Sequence, residues 1–260
     1  MTKRGARVRE LAEGVHCITL GRGIAAVNVY LVRSGSSLVL VDAGWRGSAA
    51  AIRAAVEVVA GPGSRPTAIL LTHIHPDHSG AALELARGWG LRLLVHPDEV
   101  ALARGGIVPE LANPLDRRLV APLLRLVPRR RLEALIERDS LEQAVEALGV
   151  DLAVPGLPDW RCIPVPGHTP GHVALFRERD RVLLTGDAVL TTPLLSPRHL
   201  LSRKPVVCGP PRISTWDWSA ATTSVTVLAT LRPEVLASGH GRPISGPDVA
   251  DRLGRLAASL

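Results

Sequence analysis

The sequence has few cysteines, few aromatic residues and no long uninterrupted run of apolar residues. Its three cysteines, Cys17, Cys162 and Cys208, are odd in number and lack CxxC spacing, so neither a disulfide framework nor a thiolate zinc site is indicated. No apolar run approaches the roughly 20 residues that a membrane helix needs, and we expect no membrane partner. The first ten residues are charged without an apolar centre, which predicts no signal peptide and a cytoplasmic location.

The composition is that of a globular protein with an aliphatic core. Of the 260 residues, 46% are hydrophobic and 21% are charged, which does not fit a disordered chain. Aromatic residues make up only 3%, so Leu, Val, Ile and Ala must build the core. A chain of this length can bury a sizeable core, and we expect a single domain over residues 1–260.

Positive charge predominates, with a formal net charge of +7 and a pI near 10.5. The arginines are nevertheless scattered, and Arg129–Arg131 is their only run of three. No basic stripe with interleaved aromatic residues appears, which argues against nucleic acid as a partner. We therefore expect a small-molecule substrate and no nucleic acid, while the oligomeric state, including a homodimer, stays open.

The order of predicted elements indicates two halves, each with strands followed by helices. Strands are predicted at 15–20, 26–33 and 37–41, and the β pattern returns after Pro158. Residues 97–160 are rich in Leu, Arg, Glu and Pro, which predicts a helical insertion. Within it, the capping-box pattern of residues 140–143 predicts a helix that continues to Leu148. Two such halves predict an α/β fold in which two sheets pack face to face with helices outside.

The clearest chemical signal is the segment 72–78, which reads THIHPDH and directly follows a predicted buried strand. Alternate side chains of an extended chain point the same way, so His73, His75 and Asp77 can share one face. Pro76 turns the chain and can bring His78 to the same cleft. Imidazoles and carboxylates are ligands that zinc prefers, so this segment predicts a metal site.

Further candidate ligands follow later predicted strands. His168 and His172 lie in PGHTPGH at 166–172, Asp187 ends the motif TGD, and His240 lies in SGHG at 238–241. A glycine beside each candidate allows the backbone to approach closely at a strand end. Each motif is weak alone, but the complete set supplies enough ligands for two metals.

Together these motifs resemble the metallo-β-lactamase-fold hydrolases, and Asp42 within LVDAG at 40–44 matches a further motif of that family. The resemblance covers about residues 15 to 245 and is closest to the glyoxalase II-like and lactonase-like branches. It implies an α/β (α+β) fold, a four-layer αββα sandwich with the site at one edge of both sheets. By motif position, it implies that one metal is held by His73, His75 and His168, a second by Asp77, His78 and His240, and that Asp187 bridges them.

The implied cofactors are two divalent metal ions, with zinc expected and iron or manganese as alternatives. Two such ions generate a bridging hydroxide at neutral pH and polarise a carbonyl group, and Asp77 is expected to be the catalytic residue that orients this nucleophile. The implied activity is hydrolysis of an ester-like bond, either a thioester or a lactone. Two alternatives on the same fold stay open: an iron-dependent persulfide dioxygenase and a phosphodiesterase or nuclease.

Other residues are expected around the metals. We interpret Asp42 and His172 as outer partners of the ligands, because metal-bound imidazoles need such partners. Arg198, His199 and Arg203 are candidate contacts for the substrate. The helical insertion and residues 193–211 are expected to cover an apolar pocket.

Overall fold

Two β-sheets run through the part of the chain that the computed structural model describes, which is residues 5–105, 109–194, 196 and 204–260. The first sheet has seven strands in chain order. They are β1 (Arg7–Ala12), β2 (Val15–Leu20), β3 (Val27–Ser34), β4 (Ser37–Val41), β5 (Ala68–Leu70), β6 (Leu93–Val95) and β7 (Val145–Ala147). Strands β1 to β4 are antiparallel, and β4 to β7 are parallel.

The second sheet has five strands in the order β12-β11-β10-β9-β8. They are β8 (Trp160–Pro164), β9 (Val173–Arg177), β10 (Val182–Gly186), β11 (Val235–Ser238) and β12 (Ile244–Ser245). Only β10 and β11 are parallel. The loops after β10 and β11 therefore lie at the same edge of this sheet.

The α-helices within the described ranges connect these strands. They are α1 (Ala49–Ala60), α2 (Pro76–Ser79), α3 (Ala82–Trp89), α4 (Val100–Ala103), α5 (Ala121–Leu124), α6 (Arg129–Asp139), α7 (Trp218–Thr230) and α8 (Val249–Ser259). A π-helix, Asp116–Val120, precedes α5. None of the helices in the described ranges is both long and apolar enough to cross a lipid bilayer.

Apolar side chains form three buried layers between four layers of secondary structure. The first layer lies between the first sheet and helices α1 and α3, the second between the two sheets, and the third between the second sheet and helices α7 and α8. Strand β4 shows how one strand serves two layers, since Leu40 belongs to the first and Val41 to the second. Alternate side chains of a strand point to opposite faces, so a strand buried on both faces must be apolar throughout. The predicted four-layer αββα sandwich is confirmed.

The predicted helix from Ser140 to Leu148 is wrong. Its second half forms the strand β7, which pairs in parallel with β6 and places Val145 opposite Leu93. Val145 packs in the first apolar layer and Leu148 in the second. A helix would put these two residues, three positions apart, on one face, so tertiary packing overrides the local capping signal.

In the described part of the predicted insertion over residues 97–160, the elements up to α6 are helical, and the chain then rejoins the first sheet as β7. Strand β1 was not predicted. It contains Arg7, Arg9 and Glu10, and a charged stretch at the start of a chain resembles an exposed terminus rather than a strand. Charged residues on an edge strand discourage pairing with another chain. The assignment of all 260 residues to a single domain stays a prediction.

We predict that the third apolar layer contributes strongly to stability. Leu228 in α7 is fully buried, whereas its neighbour Val227 is 43% exposed. Leu228→Ala should lower the free energy of unfolding by about 2–5 kcal/mol through lost burial and a cavity. Val227→Ala should change it by less than about 0.5 kcal/mol. Urea unfolding at one fixed metal concentration measures both, and equal effects would contradict the assigned packing.

Candidate metal centre

Four loops meet at one edge of the two sheets, and each follows a strand. The first follows β5 and carries His73, His75, Asp77 and His78, while the others belong to the second sheet. Those three loops follow β8, β10 and β11 and carry His168, Asp187 and His240. The structure thus brings the seven predicted ligands together in two groups, although their roles as ligands stay a prediction.

The first group consists of His73, His75 and His168, whose ligand atoms lie within 4.8 Å of one another. Burial lowers the pKa of His73 and of His168 well below the ordinary value for histidine. Burial also lowers the pKa of His75, although Asp77 and Asp187 oppose this effect. All three imidazoles are therefore neutral near pH 7, the form in which histidine binds metals.

The second group consists of Asp77, His78, Asp187 and His240. Nε2 of His240 lies 3.0 Å from Oδ2 of Asp77 and 3.4 Å from Oδ2 of Asp187. Nε2 of His78 lies 3.4 Å from Oδ1 of Asp187. Ligand atoms bound tetrahedrally at ~2 Å from zinc are about 3.3 Å apart, so these spacings suit a common cation.

Asp187 belongs to the second group and also lies close to the first. Its Oδ2 atom is 3.7 Å from Nε2 of His168 in the first group and 3.4 Å from Nε2 of His240 in the second. Its side chain is buried, with only 6% of its surface exposed. A carboxylate has two oxygens and can contact two cations, so this position suits the bridging role that the motif resemblance implies.

Electrostatics differ between the groups because the second contains carboxylates. Burial alone would lower the pKa of His78, but Asp187 and Asp42 outweigh burial and raise it well above its ordinary value. Burial likewise opposes the effect of Asp187 and Asp77 on His240, whose pKa rises to about 10. A divalent cation among these side chains would replace such protons, because metal ligands bind in their deprotonated forms.

Buried polar atoms that lack a hydrogen-bond partner show whether the cluster could hold a cation. Nε2 of His73, His78 and His168 and Oδ1 of Asp187 are buried without a hydrogen-bond partner among the described residues. A buried polar group that lacks a partner costs about 1–3 kcal/mol, and four of them in one cluster need a common ligand. Because all four atoms are nitrogen or carboxylate donors, a divalent cation fits the cluster.

Asp42 fixes the orientation of the first loop. It has a positive φ of 65°, which is unusual for a residue with a side chain. Its carboxylate accepts the Thr72 N–H at 2.8 Å and lies 2.8 Å from Nδ1 of His78. A proton on that Nδ1 leaves the Nε2 lone pair of His78 directed at the cluster.

Three other imidazoles have an acceptor for their Nδ1 proton. Nδ1 of His73 lies 3.0 Å from Oγ1 of Thr72, and Nδ1 of His240 lies 2.9 Å from the carbonyl oxygen of Ala26. Nδ1 of His168 lies 3.4 Å from Oγ1 of Thr215, whose hydroxyl donates to the carbonyl oxygen of Pro211. Each arrangement favours the tautomer that keeps Nε2 free for a metal.

His172 is placed differently from the ligands. Its Nε2 accepts the backbone N–H of Asp187 at 3.0 Å, and its ring lies 4.7 Å from that of His73. Burial lowers its pKa to about 3, so the ring is neutral. With Nε2 occupied, His172 can position Asp187 but cannot offer that nitrogen to a metal, which is consistent with its predicted role as an outer partner.

Glycine is required where the second sheet meets the cluster. A Cβ on Gly239 would lie 2.2 Å from Oδ1 of Asp187 and 2.6 Å from Cε1 of His78. A Cβ on Gly186 would lie 2.7 Å from Cε1 of His172. Both contacts are too short for any side chain, so these glycines allow the loops to approach the ligands.

Two features of the site were not predicted from the sequence. Glu99 is fully buried and accepts the N–H groups of Ile74, at 2.7 Å, and Gly171, at 2.9 Å, which joins the first loop to the His168 loop. Asn28 donates to the carbonyl oxygens of Ser238 and Gly241 and holds the His240 loop. Both pairings cross long stretches of chain, so no local pattern reveals them.

A cavity of about 900 Å³ opens onto the cluster. His75, Asp77, His168, Asp187 and His240 line its floor. The helical insertion contributes much of the remaining wall, as expected. Leu194 and Pro211 also line the cavity and belong to residues 193–211, the other segment that was expected to cover it. The candidate substrate contacts Arg198, His199 and Arg203 lie outside the described residues.

Comparisons with known proteins agree with this geometry. Residues 22–240 match the family model for the metallo-beta-lactamase superfamily. The chain is 38% identical over 255 residues to the probable metallo-hydrolase YflN of Bacillus subtilis (strain 168), which covers 96% of this chain and 92% of that protein. The hydroxyacylglutathione hydrolase of Anaeromyxobacter dehalogenans (strain 2CP-C) is 32% identical over 170 residues, covering 65% of this chain but only 49% of that protein.

Solved structures share the fold. The metallo-beta-lactamase family protein TTHA1429 from Thermus thermophilus superposes with a TM-score of 0.66 and 26% identity, covering 96% of this chain and 80% of that one. The structure of TTHA1623 in a di-iron-bound form superposes with a TM-score of 0.60 and 25% identity, covering 93% and 96% respectively.

We predict that Asp42→Asn weakens metal binding by about 10- to 100-fold, because the amide cannot hold both Thr72 and the Nδ1 proton of His78. Competition against a chromophoric zinc chelator measures the affinity. Asp251→Asn is the matched control, since Asp251 lies on α8 and its side chain is 60% exposed. An affinity for Asp42→Asn within about twofold of the control would show that Asp42 does not orient His78.

Proposed function

Because the chain belongs to the metallo-beta-lactamase superfamily, we propose that it is a metal-dependent hydrolase that cleaves an ester-like bond, either a thioester or a lactone. The proposed cofactors are two divalent cations, with zinc as the expected metal. The observation that carries this proposal is the pair of residue groups beside a cavity, with Oδ2 of Asp187, a member of the second group, only 3.7 Å from Nε2 of His168 in the first.

The proposed ligands form one set for each cation, and one residue belongs to both sets. His73, His75 and His168 would hold one cation, Asp77, His78 and His240 the other, and Asp187 would contact both. Two such cations supply an activated water near neutral pH and polarise the carbonyl group of a substrate.

Asp77 has a second role in this proposal. Its side chain is 19% exposed and lines the cavity, whereas His73 and His78 are buried beneath the floor. Its Oδ2 contacts His240, which leaves Oδ1 to accept a hydrogen bond from the attacking water and to orient it. Burial would raise the pKa of Asp77, but the hydrogen bond from His240 and the charges of His78 and His240 together outweigh burial and lower it, so the carboxylate is ionised.

The choice of a thioester is supported by one relative. The similar protein of Anaeromyxobacter dehalogenans is described as a hydroxyacylglutathione hydrolase, and an acylated glutathione is a thioester. This chain spans about half the length of that protein, so the likeness supports the bond type and leaves the substrate to be tested.

We predict that the protein loaded with zinc hydrolyses simple acyl thioesters and that Asp187→Ala reduces kcat/KM by about 10²- to 10³-fold or more, because the cations lose their shared ligand. Hydrolysis is followed by trapping the released thiol, and metal content is measured on the same samples. Asp159→Ala is the control, because Asp159 is exposed and contacts only Ser34 among the hydrogen bonds described.

Two results would contradict the proposed function. One is a loaded protein that cleaves neither thioesters nor lactones. The other is a single bound iron together with oxygen consumption on a persulfide, which would favour the dioxygenase alternative. The proposed hydrolase function would be supported by two bound metal equivalents together with hydrolysis that is lost in Asp187→Ala.

A further inference from the structure

The cavity above the metal centre is walled mainly by aliphatic side chains. They come from the first loop, from α3 and from the segment between residues 97 and 141. The six that define this wall are Ile74, Leu83, Leu102, Leu111, Leu115 and Leu141. Apart from Leu141, each is only partly buried, since part of its surface faces the cavity.

An aliphatic wall of this kind determines what can bind beside it. Apolar surface that faces water gains about 25 cal/mol for each Å² that a ligand covers, and a polar ligand group would lose its hydration there without gaining a partner. Cavities of roughly 300–1,000 Å³ enclose most of a ligand of about drug size, and this one measures about 900 Å³. The wall therefore suits an apolar substrate group of considerable length.

Charged residues around the cavity are distributed unevenly. Arg46, Glu84 and Arg87 also line it and are exposed, and the last two lie on α3 together with Leu83. Asp116 is the only charged residue that the described part of segment 97–141 contributes to the lining. Its Oδ2 accepts a hydrogen bond from Asn113 at 2.9 Å, which holds the carboxylate in place. A second negative charge brought near this wall would be repelled.

We propose that the acyl group of the substrate is apolar and uncharged, that it extends from the metal centre along the aliphatic wall, and that Leu115 helps to select it. This inference rests on the proposed thioester or lactone hydrolysis and names its substrate class. It separates this chain from a hydrolase whose acyl group is short or carries a carboxylate.

A series of N-acetylcysteamine thioesters tests the proposal, because the leaving thiol stays constant while the acyl group grows from acetyl to decanoyl. On the zinc-loaded protein, kcat/KM should rise by about fourfold per added methylene until the wall is covered, mainly through a lower KM. A constant value across the series would overturn the proposal. Hydrolysis of the acetyl compound would still support the proposed function, so the two can fail separately.

Leu115 and Leu119 provide a matched pair of variants in the same helical segment. Leu115 lines the cavity, whereas Leu119 is 53% exposed and does not line it. Leu115→Ser should lower kcat/KM for the octanoyl thioester by about tenfold more than it lowers kcat/KM for the acetyl thioester, and a circular dichroism spectrum that matches the unsubstituted protein shows that the variant is folded. Leu119→Ser should match the unsubstituted protein with both substrates. Equal effects of the two substitutions would overturn the role of Leu115.

A charged acyl group tests the contribution of Asp116. The glutaryl thioester should be hydrolysed at least about tenfold less efficiently than the pentanoyl thioester of equal length, and Asp116→Asn should recover part of this difference. If the glutaryl compound is hydrolysed as well as the pentanoyl compound, the substrate class proposed here is wrong. No recovery in Asp116→Asn would overturn the part assigned to Asp116.

Discussion

The packing of five imidazoles and two carboxylates into one cluster is the constraint on which the rest of this structure depends. Such groups are costly to bury unless each nitrogen and oxygen has a partner. The protein supplies an acceptor for the Nδ1 proton of His73, His78, His168 and His240 and leaves their Nε2 atoms directed at the cluster. The cluster therefore fits divalent cations, and these hydrogen bonds would orient the nitrogens toward such cations.

The cluster also explains why the sheets must pack as they do. The first ligand loop follows a strand of the first sheet, whereas the loops with His168, Asp187 and His240 belong to the second. The groups can meet only if the distance between the sheets is fixed by the apolar layer between them. Tyr30, which packs in that layer, also donates to the carbonyl oxygen of Ser238 at 2.6 Å, so the core and the site share a residue.

The sequence predicted the parts of this protein that depend on local pattern. Strands 15–20 and 37–41 were predicted with the bounds observed, because alternation or continuous apolar character marks them. The candidate ligands could be named because they lie in short motifs beside glycine, and their roles as ligands stay a prediction. Glu99 and the strand at 145–147 were not identified, because their roles arise from partners distant in the chain, such as Gly171 and β6.

The two candidate ligand groups differ in charge, and this difference would affect how strongly each bound cation polarises a substrate oxygen. The first group offers three neutral imidazoles, so a divalent cation there keeps more of its positive charge for polarising oxygen than one bound beside Asp77. The aliphatic wall strengthens that effect, because a bound apolar group excludes water and lowers the local dielectric constant. An apolar acyl group would thus contribute to the reaction as well as to binding, since by covering the wall it makes the surroundings of the reacting carbonyl less polar.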